Sequence, residues 1–397
     1  MNANPAPPRA QGLDSLRALA ISWVFMYHYM VFVSREPTFG WASRVGWVGV
    51  DLFFVLSGYL IANQLFSGLA AGRRLSLPKF FARRALRTLP VFWTVLAAYV
   101  ALPALLGGTT PPPLWRFLTF TQNFGLRPGT AFSHAWSLCI EEQFYLALPL
   151  LLALGIRLRL GRRSAWVLLV TLVGVGIAAR AGLWTLYGRE SGGRIDGYYP
   201  AIYYATLCRF DEFLPGVAVA LIKNFHRPAW ARLTRHGPSV LALGTLATMG
   251  MLALVLTRYE IDGFGYGFFM TAFGYSLLAL AFALLVVAAL SPGSALHRLR
   301  VPGAGPLALA SYSIYLSHKA VAHVLQQTLA PLGWGGAPTL AAISVASLGV
   351  GVLLYRTIEA PFMAWRDRWV PSSFSTGGRA EPALDRGGGA TRLTPSA

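Results

Sequence analysis

Charge is what this sequence has least of: Asp, Glu, Lys and Arg make up 12% of its 397 residues, against 55% hydrophobic ones. A supply so thin excludes an ordinary water-facing surface, for which about a quarter of all residues are charged. Acidic residues are the scarcer sign, 15 against 34 basic ones, which leaves a net charge of +19. Cysteine is almost missing. Cys139 and Cys208 both fall in apolar stretches, which excludes a framework of extracellular disulfides and leaves the redox compartment open. The start, "MNANPAPPRAQG", lacks the apolar core and small-residue cleavage site of a signal peptide, so the N-terminus is expected to be retained. No internal repeat and no appended soluble domain is visible.

What is abundant is apolar runs of about 20 residues, the length that crosses a bilayer. They lie near 13–33, 47–69, 89–107, 136–156, 164–187, 206–224, 238–257, 268–290, 305–329 and 338–359. The expected fold is therefore all-α, a polytopic membrane protein with about ten transmembrane helices. Lys and Arg are roughly threefold more frequent in the alternate connections that include both ends, which predicts that both termini are cytoplasmic. The domain plan has three parts: a cytoplasmic tail over 1–12, a membrane domain over 13–366, and a Gly-, Ser-, Pro- and Arg-rich tail over 367–397 too polar to fold. The positive charge then reflects topology and contact with anionic lipid. Scattered among membrane loops with no stacking platform beside it, it gives no reason to expect a nucleic-acid partner.

Chemistry must be sought where polar residues enter the spans, since an ionised side chain at bilayer depth costs about 2.5–3.5 kcal/mol. In the first span Arg17 and His28 are eleven residues apart, about three helical turns or 16 Å, and so share a face; Asp14 lies one turn before Arg17. Asp51 opens the second span at a depth near that of His28, either capping its helix or orienting the histidine. In "SHAWSLCIEEQFYLALPL" the adjacent Glu141 and Glu142 diverge by about 100° on a helix. Glu142 is expected to face His28, while Glu141 clamps an arginine of a neighbouring helix. Between the second and third spans "RRLSLPKFFARRALRTLP" puts Arg84 and Arg87 one turn apart, a fork suited to phosphate or to anionic lipid, with Arg83 pointing elsewhere. Arg209, Asp211 and Glu212, His318 and Lys319, and Arg356 with Glu359 are read as packing or supporting groups.

In their order, these segments resemble acyltransferase family 3, polytopic O-acyltransferases that decorate bacterial glycans and some secondary metabolites. The likeness covers about residues 12–366 and rests on "GLDSLRALAISWVFMYH", "GVDLFFVLSGYLI", "RALR" before "LPVFW", "WSLCIEEQFYL", "SYSIYLSH" and "IEAPF". It implies an acyl-coenzyme A donor, acetyl-coenzyme A above all, delivered from the cytoplasm, and a multi-pass location in the bacterial cytoplasmic (inner) membrane. It also implies that His28 is the essential catalytic group; as base or as transient acyl carrier, its imidazole is expected to be held by Asp51, Glu141 or Glu142. It gives Arg17 a supporting role and Arg84 and Arg87 a part in donor binding or architecture; with Asp14 beside Arg17, these residues are expected on the acyl-coenzyme A side. No permanently bound cofactor and no metal is expected. The expected partners are acyl-coenzyme A, a glycan or other hydroxyl acceptor, the bilayer and, in a homo-oligomer, further copies of the chain. A proton-coupled transporter and a non-enzymatic subunit of polysaccharide export are the competing expectations.

Overall fold

The computed structural model describes residues 10–107, 111–189, 197–261 and 264–375. Apolar segments without water must pair every backbone N–H and C=O within themselves, which helices do. Helix accordingly covers all ten expected spans: α1 Gln11–Tyr29, α2 Gly49–Ala70, α3 Leu77–Ala101, α4 Trp136–Arg157, α5 Arg162–Tyr187, α6 Leu214–Phe225, α7 Gly237–Leu254, α8 Tyr275–Leu290, α9 Ala304–Leu329 and α10 Gly336–Leu354. Strand among the described residues is confined to a two-stranded hairpin of Glu260–Ile261 against Gly265–Tyr266.

Seven of these helical stretches are long and apolar enough to cross a membrane. The other three are α3, the stretch from Thr206 through α6, and α9, and each carries polar side chains. Arg84 and Arg87 lie on α3, Arg209 and Glu212 precede α6, and Ser313, His318 and Lys319 lie on α9. Helices with such cargo must turn it inward. α3 also begins earlier than its apolar run, because the basic segment from Leu77 is helical and continues through Pro90 into the span.

α2 is the axis of the bundle. In the membrane window of Trp41–Ala70, 83% of residues are buried, against 11% for peripheral α5. α1 packs against α2, α8 and α9, and α6 lies along α2. Two glycines permit that last approach: a Cβ on Gly58 would meet the Phe213 carbonyl oxygen, and one on Gly216 the Val55 carbonyl oxygen. Both obstacles are backbone, which cannot swing aside as a side chain does.

The expected start of a loose tail at 367 falls within folded structure. The last helix runs to Trp369, and Phe374 is buried beside Gly68, with its backbone bridged to Leu75. Gln64 Nε2 donates to Ser373 Oγ at 2.8 Å, and Arg83 donates to the Val370 carbonyl. One aromatic ring filling a slot over a glycine thus fixes a stretch whose composition reads as disordered. The rest of the expected tail, 376–397, and residues 1–9 at the other end lie outside the described residues.

Gly58→Ala and Gly216→Ala are each expected to destabilise the detergent-extracted protein by about 1–3 kcal/mol, as overpacking does. Gly174→Ala on α5, where a Cβ meets open space, is the control and should leave the melting temperature unchanged or higher.

Candidate functional site

α1, α2, α3, α4 and α9 surround a cavity of about 320 Å3, and four arginines line it: Arg17, Arg84, Arg87 and Arg366. Glu141 is the one carboxylate in its wall. The guanidinium of Arg84 lies over the Tyr145 ring at 3.9 Å, and its Nε is buried with no partner among the described residues. Arg17 faces Asp14, Glu141 and Glu359, and Arg87 faces Glu359 from the other side. Glu359 is fixed by Ser313, whose hydroxyl donates to it at 2.7 Å. Arg366 is bonded twice to Asp367 at 2.9 Å, so carboxylates offset the arginines at this end, and the unpartnered Nε of Arg84 is a donor left there for an anion.

Along the wall from the arginines, Tyr145 donates to Glu141 Oε2 at 2.8 Å and lies 3.0 Å from Ser57 Oγ. At the far end Tyr315 donates to the His134 carbonyl at 2.6 Å, with Ser137 Oγ 2.7 Å from the same hydroxyl. Behind this pair three imidazoles meet. His28 Nδ1 is 2.6 Å from His318 Nε2, and His134 stands edge-on to both, 6.2 Å and 5.5 Å away between ring centroids. His134 Nε2 bonds the Leu316 carbonyl at 3.1 Å, while its Nδ1 is buried without a partner among the described residues. Lys319 donates to Ser133 Oγ at 3.0 Å and to the Thr130 carbonyl at 3.3 Å, and its ammonium lies over the Phe32 ring.

The structure brings Arg17, Arg84, Arg87 and Glu141 to one cavity, with Asp14 beside Arg17, and puts His28 past its other end. It does not bring Asp51, Glu141 or Glu142 to His28, whose ring bonds His318. Asp51 is fully buried and accepts from Arg209 Nη2 at 3.0 Å; Arg209 is also paired with Glu212 and enclosed by Trp136, Tyr203 and Tyr275. Next to it Arg180 grips Asp211 with two bonds of 2.6 and 3.0 Å. Glu142 points to Arg84 and Thr88 of α3, which reverses the expected roles: the glutamate of the pair that clamps a neighbouring helix is Glu142, and the one in the cavity is Glu141. The imidazole's partner is another imidazole, His318, a residue taken for packing from its sequence alone. One signal for it was available: "SYSIYLSHK" packs seven polar or amphipathic side chains into nine positions of a membrane helix, a density that lipid contact does not allow.

A family model described as an acyltransferase domain matches residues 11–356. The chain is 28% identical over 373 residues to the peptidoglycan O-acetyltransferase OatA of Listeria monocytogenes, covering 88% of this chain and 55% of that protein. It is 32% identical over 327 residues to the putative peptidoglycan O-acetyltransferase YrhL of Bacillus subtilis, covering 77% and 48%. A putative O-acetyltransferase of Staphylococcus aureus is 25% identical over 399 residues, covering 91% and 59%. The chain thus spans about half the length of the curated relatives it matches. No solved structure matches it.

Arg209→Met leaves Asp51 and Glu212 buried side by side without their cation, a loss that typically costs about 3–5 kcal/mol. Yield and melting temperature of extracted protein should both fall. Adding Asp51→Asn and Glu212→Gln in the same chain, which removes the stranded charges, should recover part of the loss.

Proposed function

The chain belongs to acyltransferase family 3, and from that premise we propose that it transfers an acyl group, acetyl by the names of its relatives, from acyl-coenzyme A to a hydroxyl of a cell-wall or related glycan. The observation that carries this reading is one cavity with two chemically distinct ends, four arginines at one and an imidazole cluster behind the other. Coenzyme A has the matching polarity: a phosphate-rich head and a long thin arm that ends in the thioester.

In this reading Arg17, Arg84, Arg87 and Arg366 hold the phosphates through charge-assisted hydrogen bonds. The arm lies along Glu141, Tyr145 and Ser57, and the thioester reaches the Ser137–Tyr315 pair beside His28. His28 takes the proton of the acceptor hydroxyl as its oxygen attacks the thioester carbonyl. The C–S bond then breaks, and the thiolate leaves with that proton as the free coenzyme. Lys319, a cation facing the cluster with two of its three N–H groups engaged, supplies positive charge for the oxyanion. The bias of Lys and Arg in the loops supports an orientation in which the arginine end opens to the cytoplasm, where acyl-coenzyme A is made. The acceptor then meets the other end, at the outer face of a bacterial cytoplasmic membrane. Peptidoglycan, named in two relatives, is the first acceptor to test.

Purified protein in lipid, given radiolabelled acetyl-coenzyme A and glycan fragments, should transfer label to glycan. His28→Ala should lower that rate at least 100-fold at unchanged folded yield, the usual scale for a lost acid–base group. Intact fold with no transfer and no thioester hydrolysis in the wild type would favour a transporter or an export subunit.

Arg84→Ala and Arg87→Ala should each weaken coenzyme A binding by about tenfold or more, since a hydrogen bond to a charged group contributes about 1.5–3 kcal/mol. Titration of coenzyme A against each variant measures it. Unchanged affinity would return these arginines to a structural or lipid-facing role.

A further inference from the structure

We propose that His318 is the positioning residue for His28, fixing the tautomer so that Nε2 of His28 is the nitrogen that takes the proton. The proposal rests on His28 being the base. What it adds follows from a chain of hydrogen bonds that runs in only one direction.

His318 Nδ1 lies 3.0 Å from the Ile314 carbonyl oxygen, one turn earlier on α9. A carbonyl only accepts, so this nitrogen carries hydrogen. A neutral imidazole has one N–H, and the Nε2 of His318 is therefore left with a lone pair. That nitrogen is 2.6 Å from His28 Nδ1, which must be the donor. The single N–H of neutral His28 is thereby used, and its lone pair falls on Nε2. Among the described residues nothing hydrogen-bonds that atom.

Ring geometry supports a true hydrogen bond between the two imidazoles. Their planes differ by 9° and their centroids are 4.9 Å apart. That separation exceeds the 2.6 Å between nitrogens by about two imidazole radii, so both nitrogens lie close to the line joining the centroids. The rings meet edge to edge in nearly one plane, where an imidazole N–H and lone pair both point.

In the transfer step the acceptor's proton moves from oxygen to Nε2 of His28, the O–C bond forms, the C–S bond breaks, and the thiolate takes the proton from Nε2. His28 passes through an imidazolium whose Nδ1–H stays held by His318. A serine hydrolase uses a carboxylate for this. A neutral imidazole orients the ring and disperses part of the transient charge without a permanent second ion in the bilayer interior.

The test is nitrogen NMR on lipid-reconstituted protein with 15N-labelled histidine, the His28 signals being assigned by their loss in His28→Ala. Wild type should show a protonated Nδ1 and a bare Nε2 at His28. His318→Leu should shift His28 towards the other tautomer and lower kcat about 100-fold with the KM for acetyl-coenzyme A unchanged. His318→Gln, whose amide oxygen accepts the same hydrogen bond, should recover most of that rate. A bare Nδ1 on His28 in wild type overturns the proposal, as does a His318→Leu protein with wild-type turnover. If His318→Leu fails to fold, the wild-type spectrum decides alone. Full activity in His28→Ala instead overturns the role of His28 itself, and the spectrum distinguishes the two failures because it is read without turnover.

Discussion

An ionised group surrounded by hydrocarbon must be paired or wetted, and this constraint arranges most of the molecule. Arg209 shows it in its strictest form. Its guanidinium is fully buried, bonded to Asp51 from α2 and to Glu212 one turn away, and covered by three aromatic rings. Asp51 belongs to the axial helix, and the same turn that carries Glu212 leads into α6. The ion pair therefore ties together the two helices that Gly58 and Gly216 bring into contact, so that charge pairing and close packing reinforce each other at one place.

The same constraint separates scaffold from site. Arg180 and Arg209 are saturated: their carboxylates, carbonyls and hydroxyls leave no room for a ligand. Arg17, Arg84, Arg87 and Arg366 instead share one cavity, where Arg366 is held by Asp367 and Arg84 keeps a buried N–H without a partner among the described residues. Within the imidazole cluster His28 and His318 are joined by a hydrogen bond, and among the described residues no carboxylate bonds either ring.

The segment after the last helix belongs to this arrangement. Arg366 lines the cavity, and the chain beyond it is pinned by Arg83, Gln64 and the ring of Phe374. The arginine end of the cavity is thus closed on one side by residues from opposite ends of the membrane domain. Composition gave no hint of it, because one aromatic residue among Ser and Pro is enough to anchor the chain when a glycine leaves a slot.

By itself the sequence determined the apolar surroundings and the helices. Apolar runs of bilayer length are local features, so a helix could be read off at each of the ten, seven of them long and apolar enough to cross a membrane, as could the placement of Arg17 and His28 on one face of α1. The sequence also singled out Arg84, Arg87 and Glu141, because arginines one turn apart and a carboxylate inside an apolar run are visible without a fold. Only the tertiary structure decided who meets whom. Adjacent glutamates differ by about 100° on a helix, which fixes their relative directions and says nothing of which one points inward. The rotation of each helix about its own axis comes from long-range packing, such as the glycine contact of α2 with α6. That rotation sent Asp51 to Arg209, Glu142 to α3 and His318 to His28, three pairings between segments up to 290 residues apart that no local pattern contains.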